Sequence, residues 1–82
     1  MFAKLFGADD NQILVKLDTS EKGTPEVRVY FEPKGLGVCS IAFEYEDDSK
    51  ESWKKAEDAF LKITEKVAKE AVAEQCALFG IK

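Results

Sequence analysis

Residues 49–79 contain neither glycine nor proline, and alanine, lysine and glutamate dominate them. These are strong helix formers, and nothing in the run breaks a helix. Asp48 with Glu51 three residues on predicts a capped start. Gly80 predicts the stop, as the left-handed residue just past the helix. About thirty residues at ~1.5 Å each make a rod of roughly 45 Å. A β-strand of ordinary length is only about 20 Å. One long helix therefore constrains the rest of an 82-residue chain: it needs a sheet to lie on, and it overhangs that sheet. The length allows one domain, residues 1–82.

Three earlier stretches alternate with a period of two. Ile13, Val15 and Leu17 interleave with Leu14 and Lys16. Val27, Val29 and Phe31 interleave with Arg28, Tyr30 and Glu32. Cys39, Ile41, Phe43 and Tyr45 interleave with Ser40, Ala42 and Glu44. Such alternation marks a strand with one buried face, and the β-branched and aromatic content supports it. The connections, residues 19–25 and 33–37, are short and rich in glycine, proline and serine. They leave no room for a crossover helix, so the strands form an antiparallel meander.

The predicted fold is α+β: a three-stranded meander followed by one long helix across one face, with Phe2, Leu5 and Phe6 in a short helical or irregular flap. At 100° per residue, Trp53, Ala56, Phe60, Ile63, Val67, Ala71 and Leu78 fall on one stripe that packs on the sheet. Phe60, Ile63, Val29 and Ile41 are the predicted centre of the core. A second stripe, with Leu61, Ala68, Val72 and Phe79, lies about 90–120° away. One sheet does not cover both.

Charge and composition exclude several classes. With 45% apolar and 34% charged residues and no low-complexity stretch, the chain is neither disordered nor membrane-spanning. The net charge of −4 sits in residues 44–58, where seven carboxylates face three lysines. The segment reads as a helix cap, with imitation of nucleic acid as the sharper alternative. Two cysteines, Cys39 and Cys76, and no export signal point to free thiols in a reducing cytoplasm.

Chemistry finds little to work with. There is no histidine, so the commonest general base and zinc ligand are missing. The two thiols fall on apolar faces, where thiols are inert. Asp9–Asp10 and Asp47–Asp48 lack the spacing of a calcium loop and read as a turn and a helix start. Gly35 and Gly37 lead into a strand and not into a phosphate-binding helix. We expect no catalytic residue, no metal site and no cofactor. Lys55, Lys62, Lys66 and Lys69 form a stripe, but Glu51, Asp58 and Glu65 stand four residues before Lys55, Lys62 and Lys69. That pattern describes a solvated face more than a nucleic-acid face.

What remains is apolar surface. Leu14, Arg28 and Tyr30 stand on the sheet face away from the helix, and Leu61, Val72 and Phe79 on the outer helix stripe. Tyrosine and arginine are enriched at interface centres. These six residues are the candidate interface. The sequence reads as a non-enzymatic protein–protein interaction module: a small homodimeric adaptor or inhibitor of a larger protein partner, of a size that suits a phage- or plasmid-type regulator. The alternatives are a nucleic-acid-binding domain using the lysine stripe, and a subunit of an oligomeric ligand-binding protein or small enzyme.

Overall fold

The computed structural model describes residues 2–7, 12–33 and 35–80. The order of elements is β1 (Phe2–Phe6), β2 (Ile13–Thr19), β3 (Pro25–Phe31), β4 (Cys39–Glu44), α1 (Lys50–Lys62) and α2 (Glu65–Leu78). The strands form one antiparallel sheet in the order β1-β2-β3-β4. Among the described residues the fold is therefore four strands and two helices. The expected three strands, single long helix and N-terminal flap are all corrected. Asp9–Asp10 lies outside the described residues.

The alternation in β2, β3 and β4 sets the register. Val15 stands beside Val29 and Val29 beside Ile41, so one apolar row runs across the three strands. Ile13, Val15, Leu17, Val27, Val29 and Phe31 are buried beneath the helices. The β2–β3 turn closes with the Ser20 N–H donating to Thr24 O at 2.8 Å. Gly23 takes φ 86° there, a conformation that strains any side chain.

Residues 2–6 form β1, the fourth strand of the sheet, which sits at its edge beside β2. Phe2, Lys4 and Phe6 stand opposite Leu17, Val15 and Ile13, all of which face the helices. A lysine at the inward centre disguises the strand's period-two pattern. Its charge has a specific destination. Lys4 Nζ donates to the carbonyls of Phe60 at 2.7 Å, Ile63 at 3.1 Å and Leu61 at 3.3 Å, while lying 4.7 Å from the centre of the Phe60 ring. These carbonyls belong to the last turn of α1 and the residue after it, where a helix leaves acceptors without partners and favours a cation.

That helix end is the second correction. Ile63 (ψ 109°) and Thr64 (ψ 171°) are both extended, although no glycine or proline is near. Thr64 caps the new helix by accepting from the Val67 N–H at 3.3 Å. β-Branched residues favour extended backbone, and threonine also caps helices well. The larger cause is burial. α1 buries Ala56 and Phe60 from the first stripe, with Trp53 and Ile63 packed at the edge. α2 buries Ala68 from the second stripe, with Val72 and Cys76 beside it, and leaves Val67 and Leu78 exposed. The break changes the helical phase, so each helix turns its own stripe inward. It also cuts the rod to pieces of about 20 Å, the length of a strand.

The expected core centre is half right. Phe60 and Val29 are buried, whereas Ile41 and Ile63 are half-buried at the rim. Both lie toward β4, where the helices give less cover. α1 packs mainly on β3 and β2, and α2 on β2.

Candidate functional site

Both helices lie on one side of the sheet, so among the described residues no helix or strand covers the other side. Strand pairing arranges its side chains in rows. One row carries Leu5, Leu14, Tyr30 and Ser40. The next carries Ala3, Lys16, Arg28 and Ala42. A third carries Asp18, Glu26 and Glu44. The face thus grades from apolar, through basic, to acidic over roughly 13 Å along the strands. Leu5 is 61% exposed, while Leu14 and Tyr30 are half-buried by their neighbours.

Arg28 organises this face. Its Nη2 and Nε donate to the two carboxylate oxygens of Glu26 at 2.7 and 3.1 Å, and its Nη1 donates to Ser40 Oγ at 2.8 Å. The fork is the geometry that makes arginine–carboxylate pairs specific. The hydrogen bond to Glu26 raises the Arg28 pKa above its ordinary value. Glu26 is buried and stands between Asp18 and Glu44, so Arg28 neutralises the middle carboxylate of an acidic row. Among the described residues, Glu44 and Asp18 have no ion-pair partner.

The six candidate residues do not form one surface. Leu14, Arg28 and Tyr30 meet on the uncovered face as expected. Leu61 and Phe79 are 68% and 69% exposed on the helix side. Val72 is packed against the core by the phase change at Thr64. The inference that a second stripe lay open along a single helix fails with that helix. Sequence reasoning missed Leu5, because β1 was not recognised as a strand that places it beside Leu14.

The acidic segment has a local role at the start of α1. The cap is Ser49, one residue beyond the expected Asp48, and its Oγ accepts from the Ser52 N–H at 3.1 Å. Asp47 lies beneath it and accepts from Ser49 Oγ at 2.6 Å, Ser52 Oγ at 2.6 Å and Ser49 N–H at 3.1 Å. These bonds, the one from the Ser49 hydroxyl first, lower the Asp47 pKa from 3.8 to about 2. The lysine stripe is divided by the break at Thr64. Lys55 pairs with Glu51 at 3.6 Å and Lys69 with Glu65 at 3.5 Å, while Asp58 and Lys62 make no such pair.

Among the described residues there is no group of carboxylates and thiols able to hold a metal ion. Cys39 and Cys76 are half-buried free thiols. No described helix is long and apolar enough to cross a membrane. A shallow hollow of about 580 Å³ along α1, lined by Trp53, Lys54, Glu57 and Leu61 among others, converges on no reactive group. No family model, curated protein or solved structure matches the chain.

Proposed function

We propose that the protein is a non-enzymatic protein-binding module that docks a larger protein on the uncovered face of its sheet. The observation that carries this reading is the graded face itself: Leu5, Leu14 and Tyr30 in one row, with the carboxylates of Asp18 and Glu44 two rows away. A rigid sheet presents such a pattern without an ordering cost on binding. The matching partner surface offers an apolar side chain to Leu14 and Tyr30 and a lysine or arginine to Glu44 and Asp18. Tyr30 is the expected energetic centre, and Arg28 holds the charged rows in place.

The test is affinity capture followed by mass spectrometry, with three baits of matched circular dichroism. Wild type and a helix-side control, Leu61→Glu with Phe79→Glu, should retain the same specific protein. Leu14→Glu with Tyr30→Ala should lose it. Retention by the open-face variant, or loss only in the helix-side control, sinks the reading. So does recovery of nucleic acid in place of protein.

A further inference from the structure

The two edges of the sheet are guarded unequally. In an antiparallel ladder, successive residues direct their N–H and C=O groups to alternate sides. The Tyr45 N–H bonds inward to Pro25 O at 2.9 Å. Ile41 and Phe43 therefore also point their backbone groups toward β3, and Ser40, Ala42 and Glu44 point theirs outward. Carrying the same parity across the sheet leaves Ala3 and Leu5 pointing outward from β1. Pairing β1 with its copy, Ala3 against Leu5, would set Lys4 against Lys4. Like charges directly opposite are unfavourable, and an inward charge on an edge strand is a recognised guard against pairing.

β4 carries no such guard. It has no lysine, proline or bulge between Cys39 and Glu44. Its helix-side flank is apolar: Phe43 is 66% exposed and, with Val27, Tyr45, Ala59 and Ile63, lines a groove of about 370 Å³ beside α1.

We infer that β4 pairs antiparallel with β4 of a second copy, about a twofold axis at Ala42, to give one continuous sheet from two chains. The edge is complementary to itself in this register. On the helix side, Ile41 meets the partner's Phe43 and Cys39 meets the partner's Tyr45, so each cross-strand pair is apolar or aromatic. On the uncovered side, Ala42 meets the partner's Ala42, and Ser40 brings a hydroxyl to the partner's Glu44 carboxylate. No like charges oppose each other, whereas centring the axis on Glu44 would oppose two carboxylates. Each outward-facing residue exchanges both of its backbone hydrogen bonds. α1 lies over β2 and β3, so at a strand spacing of about 4.8 Å the two α1 helices stand roughly 19 Å apart. Helices about 10 Å across leave a trough of roughly 9 Å between them. Phe43 and Tyr45 of both chains fill it. The twofold axis is perpendicular to the sheet, so both uncovered faces point the same way and join edge to edge. The pairing does not rest on the proposed docking function, but it gives that function a surface of double width.

Ala42→Pro is the discriminating variant, because the Ala42 N–H points to solvent and its loss leaves the β3–β4 ladder intact. Wild type should sediment at twice 9.2 kDa. Ala42→Pro and Phe43→Lys should sediment as folded monomers, and Leu5→Lys on the opposite edge should remain a dimer. Facing residues of a hydrogen-bonded pair stand about 5.5 Å apart at Cα, within disulfide reach. In a Cys39→Ser, Cys76→Ser background, Ala42→Cys should therefore crosslink under oxidised glutathione, and Ser40→Cys should not. A monomeric wild type at millimolar concentration, a dimer that survives Ala42→Pro, or stronger crosslinking through Ser40→Cys overturns the inference. A monomer that loses its captured protein partner on Ala42→Pro also overturns it, and assigns the edge to that partner's strand. Leu14→Glu with Tyr30→Ala should leave the dimer whole, so failure of the docking reading and failure of the pairing are read separately.

Discussion

α1 and α2 are nearly the same length, 13 and 14 residues, yet the sheet holds them very differently. α1 sinks a phenylalanine and an alanine into the core, receives Lys4 at its last turn and begins on a network of two serines and an aspartate. α2 buries one alanine fully, leans Val72 and Cys76 on the core, and ends in exposed Leu78 and Phe79 with no basic residue in its last turn. Helices in small proteins draw most of their stability from a packed face rather than from intrinsic propensity. α1 is therefore the structural helix, and α2 is the more loosely held one, resting on β2.

Core truncation should break the two helices apart most clearly. Phe60→Ala should cost about 3–5 kcal/mol, a large part of the stability of so small a domain. Val72→Ala, on a half-buried site in α2, should cost about 1 kcal/mol, since little of the side chain is fully removed from water. Urea titrations of both variants measure the gap. Equal costs would mean that α2 is as firmly packed as α1.

Lys4→Met comes next. It keeps the side chain's length and apolar stem but leaves three carbonyls without their charged donor. Hydrogen bonds to a charged group are each worth about 1.5–3 kcal/mol, and the exposed acceptor recovers water, so a total loss of about 1.5–3 kcal/mol is expected. A loss below 0.5 kcal/mol on the same titration would remove Lys4 from the account of why α1 ends where it does.

The caps give a smaller contrast. Ser49→Ala and Thr64→Ala should each cost about 1 kcal/mol. Ser49→Ala should act on global stability, because α1 unfolds with the core. Thr64→Ala should show mainly as fraying of α2, read as reduced helicity by circular dichroism with the urea midpoint little changed. The reverse pattern would exchange the roles given to the two helices.

The smallest effect is acid sensitivity at the start of α1. Folding lowers the Asp47 pKa from 3.8 to about 2. The folded state thus holds the charged form more strongly than the unfolded chain does. The resulting stabilisation is fully present above about pH 4 and is lost as the pH falls through about 2. Asp47→Asn should remove that part of the pH dependence, as followed by thermal melts between pH 5 and pH 2.

The strands were legible where side chains alternate cleanly, because the period-two pattern of β2, β3 and β4 is a direct image of one buried face. Leu14, Arg28 and Tyr30 were placed on the uncovered face for the same reason. β1 escaped notice because Lys4, the one inward residue that breaks the pattern, satisfies acceptors on a helix far away in the chain. The break at Ile63–Thr64 carried no glycine or proline to announce it. Its signal was the pair of stripes: two apolar faces in one uninterrupted run are a mismatch that a phase change resolves. Asp48 reads as the cap because carboxylates suit a helix start, but Ser49 can donate to Asp47 and accept from Ser52 together, and an aspartate there accepts only. Val72 was misplaced as a consequence of the missed break.

The tie from Lys4 spans 56 residues to Phe60 and 59 to Ile63. It joins parts of the chain that share no ladder hydrogen bond. When β1 peels from β2 in a local fluctuation, the acceptors at the end of α1 lose their donor in the same event, and the junction into α2 loses its anchor. The amides of β1, of the last turn of α1 and of the first turn of α2 should then exchange with solvent together in a hydrogen-exchange measurement, while those of the β2–β3–β4 meander stay protected. The tie thus couples two stretches far apart in the sequence, residues 2–6 and 60–63, through a single ammonium group.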